Sequence, residues 1–262
     1  MKTTVVPTDW WKVYGMITRE LHLDPMKDRE STRTLSLMLT RLGVNSKLNF
    51  KVASEIVMGK DVVVFGAGPS LTDDLKKFET SKFRRNTVLI AADGAARPMF
   101  EHNLAPELIV SDLDGCPACV KTVTKSGGVG FVHAHGDNME LLTKWIPELG
   151  AGIVGTTQVE PVKNVFNFEG FTDGDRAVYI AVALGAREVI LAGMDLGSVV
   201  SKYSKPWLAG DSKASEFKRR KLKWAKYLLE RIARRSDVKF YNATSHGVNI
   251  KGYRRIDFHE LR

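Results

Sequence analysis

The sequence has 262 residues, 44% of them hydrophobic and 26% charged, which is ordinary for a soluble globular protein with one sizeable core. No run of about 18 apolar residues occurs and the N-terminus lacks an apolar signal segment, so we expect a cytoplasmic protein without a membrane span. The formal net charge is +9, but residues 213–235 alone carry ten Lys or Arg against two Asp or Glu, a surplus of eight. Such a basic helix suits a phosphate-rich substrate as well as nucleic acid.

Three helices are predicted over residues 1–60, because apolar residues recur there at helical spacing. Pro25 and Gly43 are typical of helix boundaries and divide the region. We interpret residues 1–60 as an N-terminal helical cap. Residues 61–262 are interpreted as an α/β catalytic domain that ends in a basic helix, a strand and a short surface tail.

From residue 61 onward, short apolar runs alternate with helical patterns. This rhythm predicts a doubly wound, mostly parallel, Rossmann-like sheet with right-handed crossovers. The predicted strands cover residues 61–65, 88–92, 108–110, 130–132, 151–154, 165–168, 188–192 and 238–241.

A glycine-rich loop, Gly66-Ala67-Gly68-Pro69-Ser70, directly follows the first predicted strand. Glycines let backbone N–H groups approach an anion, and the start of the next helix adds a favourable dipole, so the loop could cradle phosphate. Ser70 could supply a hydroxyl or cap that helix. The loop is neither a Walker loop nor a full Gly-x-Gly-x-x-Gly motif, and a simple tight turn is the alternative.

Carboxylates follow four of the predicted strand ends. In a parallel sheet these ends meet at one edge, where ligands bind. Clustered carboxylates repel one another unless a cation compensates them, which favours a divalent metal site of the kind that Mg²⁺ occupies. The alternative is that Asp112 caps a helix and Asp114 is a turn residue. The carboxylates are Asp93, Asp112, Asp114, Asp137 and Asp195.

Other polar residues near strand ends have two interpretations each. Thr156 belongs to a polar run that could hydrogen-bond a heterocycle. His133 and His135 could bind phosphate or substrate, or could simply pack at a strand end. For Asp173, Asp175 and Arg176, the alternative to a functional role is an aspartate that caps the helix beside a salt-bridging arginine.

Cys116 and Cys119 form a Cys-x-x-Cys segment just after the acidic turn. With the two nearby histidines they could in principle bind zinc, but the spacing matches no established pattern, and a pair this close offers no disulfide framework. A redox role would need a thioredoxin-like context, and we expect buried or semi-buried thiols. Further along, residues 198–212 lack periodicity and are a candidate lid.

Several motifs together resemble known families. Ala92-Asp93-Gly94-Ala95-Ala96 and residues 106–115 resemble the acidic core of thiamine pyrophosphokinases. The archaeal type of 6-hydroxymethyl-7,8-dihydropterin pyrophosphokinase is a closer match, over about residues 60–235. Gly115 stands where thiamine enzymes typically have serine, and their C-terminal β-domain has no counterpart here. The motifs shared with the archaeal enzymes are Gly66-Ala67-Gly68-Pro69-Ser70-Leu71, His133-Ala134-His135-Gly136-Asp137-Asn138 and Thr172-Asp173-Gly174-Asp175-Arg176-Ala177.

This resemblance implies a thiamine-pyrophosphokinase-like fold and a cytoplasmic archaeal enzyme of folate or methanopterin biosynthesis. The implied reaction is Mg²⁺-dependent transfer of the β,γ-diphosphate of ATP to the hydroxymethyl group of a dihydropterin, with release of AMP. It assigns the metal to Asp112, Asp114 and Asp137, which would also be the catalytic residues.

The resemblance also implies substrate-binding roles. The glycine loop would hold phosphate or pterin-side groups, and Asp175 could pair with the pterin amino group and ring N–H. A lysine, either Lys205, Lys218 or Lys221, would neutralise the γ-phosphate. The residues assigned to substrate binding are Gly66, Gly68, Pro69, Ser70, Asp93, His135, Thr156, Asp175, Arg176, Asp195, Lys218 and Lys221.

Three alternative functions differ in acceptor or in class. The same chemistry could act on thiamine or another alcohol, and the same type of sheet could serve sugar or nucleotide transfer. A basic nucleic-acid-binding protein is the third, but the chain shows no nucleic-acid motif and no aromatics interleaved at base-stacking positions. We therefore expect ATP and a dihydropterin as partners, not nucleic acid or membrane, and leave homo-oligomer formation open.

Overall fold

The computed structural model describes residues 8–204 and 207–260. The helices are α1 (Thr8–Leu21), α2 (Pro25–Arg41), α3 (Ser46–Val57), α4 (Leu71–Thr80), α5 (Ala96–Glu101), α6 (Pro117–Lys125), α7 (Met139–Trp145), α8 (Asp173–Ala183) and α9 (Glu216–Arg235). The strands are β1 (Asp61–Phe65), β2 (Thr87–Ala92), β3 (Leu108–Ser111), β4 (Val129–Ala134), β5 (Ile153–Thr157), β6 (Val165–Phe166), β7 (Glu188–Ala192), β8 (Val199–Val200), β9 (Ser212–Lys213), β10 (Lys239–Asn242) and β11 (Tyr253–Arg255). Within those residues no helix is long and apolar enough to cross a membrane.

The main sheet is parallel throughout and has the order β11-β10-β7-β1-β2-β3-β4-β5-β6. The chain builds the sheet outward from β1 to β6 and then returns to place β7 on the other side of β1. The strand order therefore reverses at β1, and such a switch point opens a crevice at the carboxyl ends of the strands. The predicted doubly wound parallel sheet is confirmed.

Both faces of the sheet are buried. Along β1 the side chains alternate, as the strand geometry requires. Val63 and Phe65 enter a core formed with α2 and α4–α7. Val62 and Val64 enter a second core formed with α3, α8 and α9. Because α8 and α9 follow the outward run of strands, the chain crosses back over the second face, and this return brings the start of α8 to the crevice.

The N-terminal helices pack directly against these layers. α1 buries Trp10 and Ile17 against α8 and α9, and the Trp10 ring N–H donates to the Gln158 carbonyl at 3.0 Å. α2 starts at Pro25, where the side chain of Asp24 accepts a hydrogen bond from the backbone and caps the helix. The first turn of α2 lies beside the end of β5, because the Asp28 carboxylate accepts a hydrogen bond from the Gln158 side chain.

The C-terminal segment differs from its prediction as a surface extension. β11 adds a parallel edge strand to β10, and Ile250 and Phe258 are buried. β5 also runs farther than the predicted residues 151–154, because Gly155 and Thr156 pair with β6 and Thr157 with β4. Short strands with isolated apolar residues lack a periodic sequence pattern. Whether such a segment forms a strand depends on its pairing with distant parts of the chain.

The two cysteines also differ from their prediction as thiols. Cys116 and Cys119 form a disulfide at the start of α6. One helical turn places their Cα atoms 5.2 Å apart, within the usual range for a disulfide.

Candidate active site

A cleft follows the carboxyl ends of the strands, from the switch point at β1 and β7 to the end of β5. The α1–α2 turn, the start of α8, and residues of β8 and α9 close its sides. All of the carboxylates predicted at the strand ends line this cleft, which confirms that they share one edge: Asp93, Asp112, Asp114, Asp137 and Asp195.

Three carboxylates lie at the centre of the cleft. Asp93 follows β2, Asp112 follows β3 and Asp173 is the first residue of α8. Each offers an oxygen within 4.8 Å of those of the other two, and we call this group the carboxylate triad. The side chain of Asp173 is 21% exposed. Burial and the nearby charges of Asp112 and Asp93 raise its pKa well above the ordinary range, because each makes a further negative charge costly.

Asp93 is held in place by its neighbours in β3 and the following turn. Its Oδ1 accepts a hydrogen bond from the Ser111 hydroxyl at 2.6 Å and from the Cys116 backbone N–H at 3.4 Å. Its Oδ2 lies against Gly115, where a Cβ atom would come within 1.9 Å of that oxygen. Glycine at 115 is thus a steric requirement of the Asp93 position, which accounts for the absence of a serine there.

The turn after β3 fixes Asp112. Its Oδ1 accepts a hydrogen bond from the Asp114 backbone N–H at 3.1 Å, and its Oδ2 lies 3.4 Å from His135 Nε2. Leu113 between the two aspartates has a φ of 71°, a conformation that a leucine keeps only when its surroundings enforce it. Burial of that side chain provides the constraint.

The predicted metal ligands are only partly grouped by the structure. Asp112 belongs to the triad, whereas Asp114 and Asp137 line the cleft outside it, and Asp137 is exposed. Asp173 was interpreted only as a potential helix cap. Its position after a second glycine-containing loop is a weak signal, and the return of α8 across the sheet brings it to the centre.

In the glycine loop at residues 66–70, the backbone N–H groups of Gly66, Gly68 and Ser70 donate to acceptors within the protein. The backbone N–H groups of Gly66 and Gly68 donate to the carbonyls of Ala192 and Gly193, at 2.9 and 2.8 Å. The backbone N–H and the hydroxyl of Ser70 both donate to the Asp195 carboxylate.

These bonds explain the sequence of the loop. A Cβ atom at Gly68 would lie 2.0 Å from an Asp195 oxygen, so glycine there permits the close approach of β1 and β7. Gly66, Gly68, Pro69 and Asp195 line the cleft, while Ser70 lies behind it. A carboxylate already occupies the start of α4, where the sequence predicted phosphate.

Asp175 and Thr156 are structural here. Both oxygens of Asp175 accept hydrogen bonds from the segment at residues 171–172, forming a capping box with Thr172. Asp175 is fully buried and does not line the cleft, so the structure does not support the predicted pairing with a pterin. Thr156 is also fully buried, next to His133 Nδ1 at 3.2 Å. Arg176, His133 and His135 do line the cleft.

The basic helix contributes two of its lysines to the cleft, Lys218 and Lys221, beside Phe217 and Leu222. Lys221 Nζ lies 5.4 Å from the ring centre of Phe171, just before α8. Lys205, the third lysine considered, falls outside the described residues. The predicted lid at residues 198–212 contains β8, which pairs antiparallel with β9, and the Tyr203 carbonyl would lie 2.0 Å from a Cβ atom at Gly94. This segment therefore rests on the loop that carries Asp93.

The sequence did not predict the wall of the cleft formed by the α1–α2 turn and the first turn of α2, which carries Asp28. Asp28 Oδ1 accepts from the Gly136 backbone N–H at 2.7 Å, and its Oδ2 accepts from Tyr14 at 2.5 Å and from the Gln158 side chain at 2.6 Å. Burial and this hydrogen bond to Asp28 raise the pKa of the Tyr14 hydroxyl, so it stays a donor. Gly136 and Gln158 lie more than a hundred positions from Asp28 in the sequence. No local motif indicates either contact.

Comparison with known families gives this geometry a context. The model of the MptE-like family, described as 6-hydroxymethylpterin diphosphokinase MptE-like, matches residues 38–200. The chain belongs to this family. The match spans the strands from β1 to β7 and includes the whole carboxylate triad, and it confirms the resemblance to the archaeal dihydropterin enzymes.

Three archaeal relatives of this MptE-like protein carry the name 6-hydroxymethyl-7,8-dihydropterin pyrophosphokinase. The protein of Methanothermobacter thermautotrophicus is 39% identical over 231 residues, covering 88% of this chain and 96% of the relative. Those of Pyrococcus furiosus and Methanocaldococcus jannaschii are 39% and 35% identical, covering 85% and 88% of this chain and 92% and 98% of the relatives.

Among solved structures, the MAf glycosyltransferase of Magnetospirillum magneticum is similar in fold, with a TM-score of 0.55 and 19% identity. The similarity covers 84% of this chain and 40% of the glycosyltransferase. At that identity the comparison concerns the fold alone.

Proposed function

We propose that this MptE-like protein transfers the β,γ-diphosphate of ATP to the hydroxymethyl group of 6-hydroxymethyl-7,8-dihydropterin and releases AMP. The observation that carries the proposal is the carboxylate triad. It lies at the centre of a cleft that is lined by residues from six strand ends. The names of the three archaeal relatives support the pterin as acceptor. By the same family resemblance, the product would serve folate or methanopterin-type carrier synthesis.

The residues of the triad fit a divalent cation. Asp93, Asp112 and Asp173 supply only carboxylate oxygens, the ligands that Mg²⁺ prefers. Burial, together with the charges of Asp112 and Asp93, raises the pKa of Asp173, and a cation would relieve the repulsion between the three carboxylates. When bound, Mg²⁺ would neutralise phosphate charge during the transfer.

In this reaction the hydroxymethyl oxygen of the pterin attacks the β-phosphorus of ATP. The bond between that phosphorus and the oxygen bridging to the α-phosphorus breaks, AMP departs with the bridging oxygen, and the hydroxyl proton is lost to solvent. Transfer of this kind depends mainly on positioning and on charge compensation. Lys218 and Lys221 on one wall of the cleft supply positive charge toward the phosphates.

Formation of AMP tests the proposal. Purified protein is incubated with ATP and Mg²⁺, together with 6-hydroxymethyl-7,8-dihydropterin, thiamine or no acceptor, and nucleotides are separated by chromatography. We expect AMP in the dihydropterin reaction only. Asp112→Asn should lower the rate by at least a hundredfold, whereas Asp73→Asn, an exposed aspartate of α4, should leave it unchanged. AMP release with thiamine but not with the pterin would refute the assignment of the acceptor.

A further inference from the structure

We propose that the pterin ring binds in a recess at the β4–β5 end of the cleft, formed by His133, Gln158 and Arg176, and that ATP occupies the opposite, β1–β7 end. This inference rests on the proposed function and assigns its two substrates to the two sides of the triad. The residues come from the end of β4, the end of β5 and the first turn of α8, and all three line the cleft.

Two buried nitrogens in the recess lack hydrogen-bond partners. Within residues 8–204 and 207–260, Arg176 Nε and His133 Nε2 are such atoms. The two residues are 1% and 2% exposed. Buried polar groups are nearly always paired, and an exception calls for an explanation such as a missing ligand.

The remainder of Arg176 is fixed. Its Nη2 donates to the carbonyls of Gly170 and Phe171 at 3.2 and 3.3 Å, and its Nη1 lies 3.8 Å from Asp173. Among the three guanidinium nitrogens, Nε is the one that is buried without a hydrogen-bond partner, and its N–H can therefore donate to a ligand. The adjacent Asp173 offsets the buried positive charge, so the group can serve a neutral heterocycle.

His133 and Gln158 add neutral groups beside it. Burial, with the positive charge of Arg176, lowers the pKa of His133 well below its ordinary value, so the ring is uncharged. Gln158 approaches His133 without reaching hydrogen-bond geometry. Because the Gln158 amide nitrogen donates to Asp28, its amide oxygen remains as an acceptor. A pterin ring, with adjacent donors and acceptors and no charge, complements such a set.

The position of the recess relative to the triad selects the pterin over adenine. The His133 ring stacks on His135, with ring centres 5.9 Å apart, and His135 is 3.4 Å from Asp112. Arg176 in turn contacts Asp173. A ring bound here therefore lies next to two members of the triad. The pterin carries its reacting hydroxymethyl group directly on the ring, whereas ribose and the α-phosphate separate adenine from the β-phosphorus.

The β1–β7 end of the cleft, lined by Gly66, Gly68, Pro69 and Asp195, is then left for the nucleotide. Three strand spacings separate β1 from β4, or about 14 Å, and the triad lies between them. Asp195 at this end would repel phosphate but would accept hydrogen bonds from sugar hydroxyls. The triphosphate can then extend from there to the centre of the cleft.

Separate binding measurements test the assignment. In the presence of Mg²⁺, oxidised 6-hydroxymethylpterin is titrated by its fluorescence and α,β-methylene-ATP by calorimetry. We expect His133→Asn and Gln158→Leu to weaken pterin binding at least tenfold and to change nucleotide binding less than twofold. Asp195→Ala, which removes both acceptor oxygens at the β1–β7 end, should do the reverse. His259→Asn, at an exposed histidine, is the matched control, and far-UV circular dichroism verifies folding.

Two sets of results overturn the assignment: loss of nucleotide binding with retained pterin binding in the recess variants, or equal effects on both ligands in folded variants. If His133→Asn does not fold, Gln158→Leu decides alone, because Gln158 also lines the recess. The outcome is distinct from that of the AMP assay. If the protein forms AMP but its recess variants bind pterin with wild-type affinity, the proposed function stands and the assignment of the pterin to this recess is wrong.

Discussion

Replacement of Gly115 by alanine tests the geometry of the triad most sharply. A Cβ atom at this position would lie 1.9 Å from Asp93 Oδ2 and 2.7 Å from its Cγ. An ordinary contact is about 3.5 Å, so the carboxylate must move by roughly 1.5 Å. Gly115 does not have a positive φ, and the alanine therefore acts through this clash and not through backbone strain.

That displacement breaks the hydrogen bonds that Asp93 accepts from Ser111 and from the Cys116 backbone. Their loss should lower the free energy of unfolding by about 1–3 kcal/mol. A misplacement of about 1 Å in a site of this kind costs roughly a hundredfold in rate. We expect Gly115→Ala to lower kcat at least a hundredfold while the protein remains folded.

The assay compares AMP formation and Mn²⁺ affinity in Gly115→Ala with those in Gly15→Ala, where nothing lies within 4 Å of the added Cβ. Thermal unfolding reports the stability of both. Wild-type kcat and Mn²⁺ affinity in folded Gly115→Ala protein would refute the assignment of Asp93 to the metal site.

Three further predictions concern the cleft. Asp173→Asn should weaken Mn²⁺ binding at least a hundredfold by electron paramagnetic resonance and Asp137→Asn less than tenfold; the reverse order would favour the ligands predicted from sequence. A Cβ atom at Gly94 would clash with the Tyr203 carbonyl, so Gly94→Ala should lower kcat about tenfold and speed proteolysis of residues 198–212. Unchanged rates would argue against a lid there. Because the folded-state pKa of His133 is lowered, the unfolded chain binds its proton first as pH falls below about 6.5, so stability decreases there. His133→Asn should flatten the decrease in Tm between pH 7 and pH 5, and parallel curves would contradict this.

The sequence predicted features that depend on neighbouring residues. Each main strand from β1 to β4 and β7 is a short apolar run, and each is followed by the carboxylate or glycine that the parallel topology brings to one edge. The position of Asp93, Asp112 and Asp195 on the cleft followed from this pattern, whereas the family followed from the resemblance of the motifs.

Features that depend on distant pairing could not be predicted. The role of Ser70 is set by Asp195, which is 125 residues away, and that of Asp28 by Gly136 and Gln158. Asp173 and Asp175 occur in one motif, yet the first turn of α8 directs one to the triad and the other to its own cap. The motif alone therefore does not indicate which of the two aspartates reaches the triad, because that depends on how α8 is placed against the sheet.

The most direct test of the account follows the label from ATP. With 6-hydroxymethyl-7,8-dihydropterin and Mg²⁺, [β-³²P]ATP and [γ-³²P]ATP should both label the pterin product, and unlabelled AMP should be the only nucleotide formed. Label from the γ-position alone, with ADP as the nucleotide product, would mean transfer of a single phosphate and would contradict attack at the β-phosphorus.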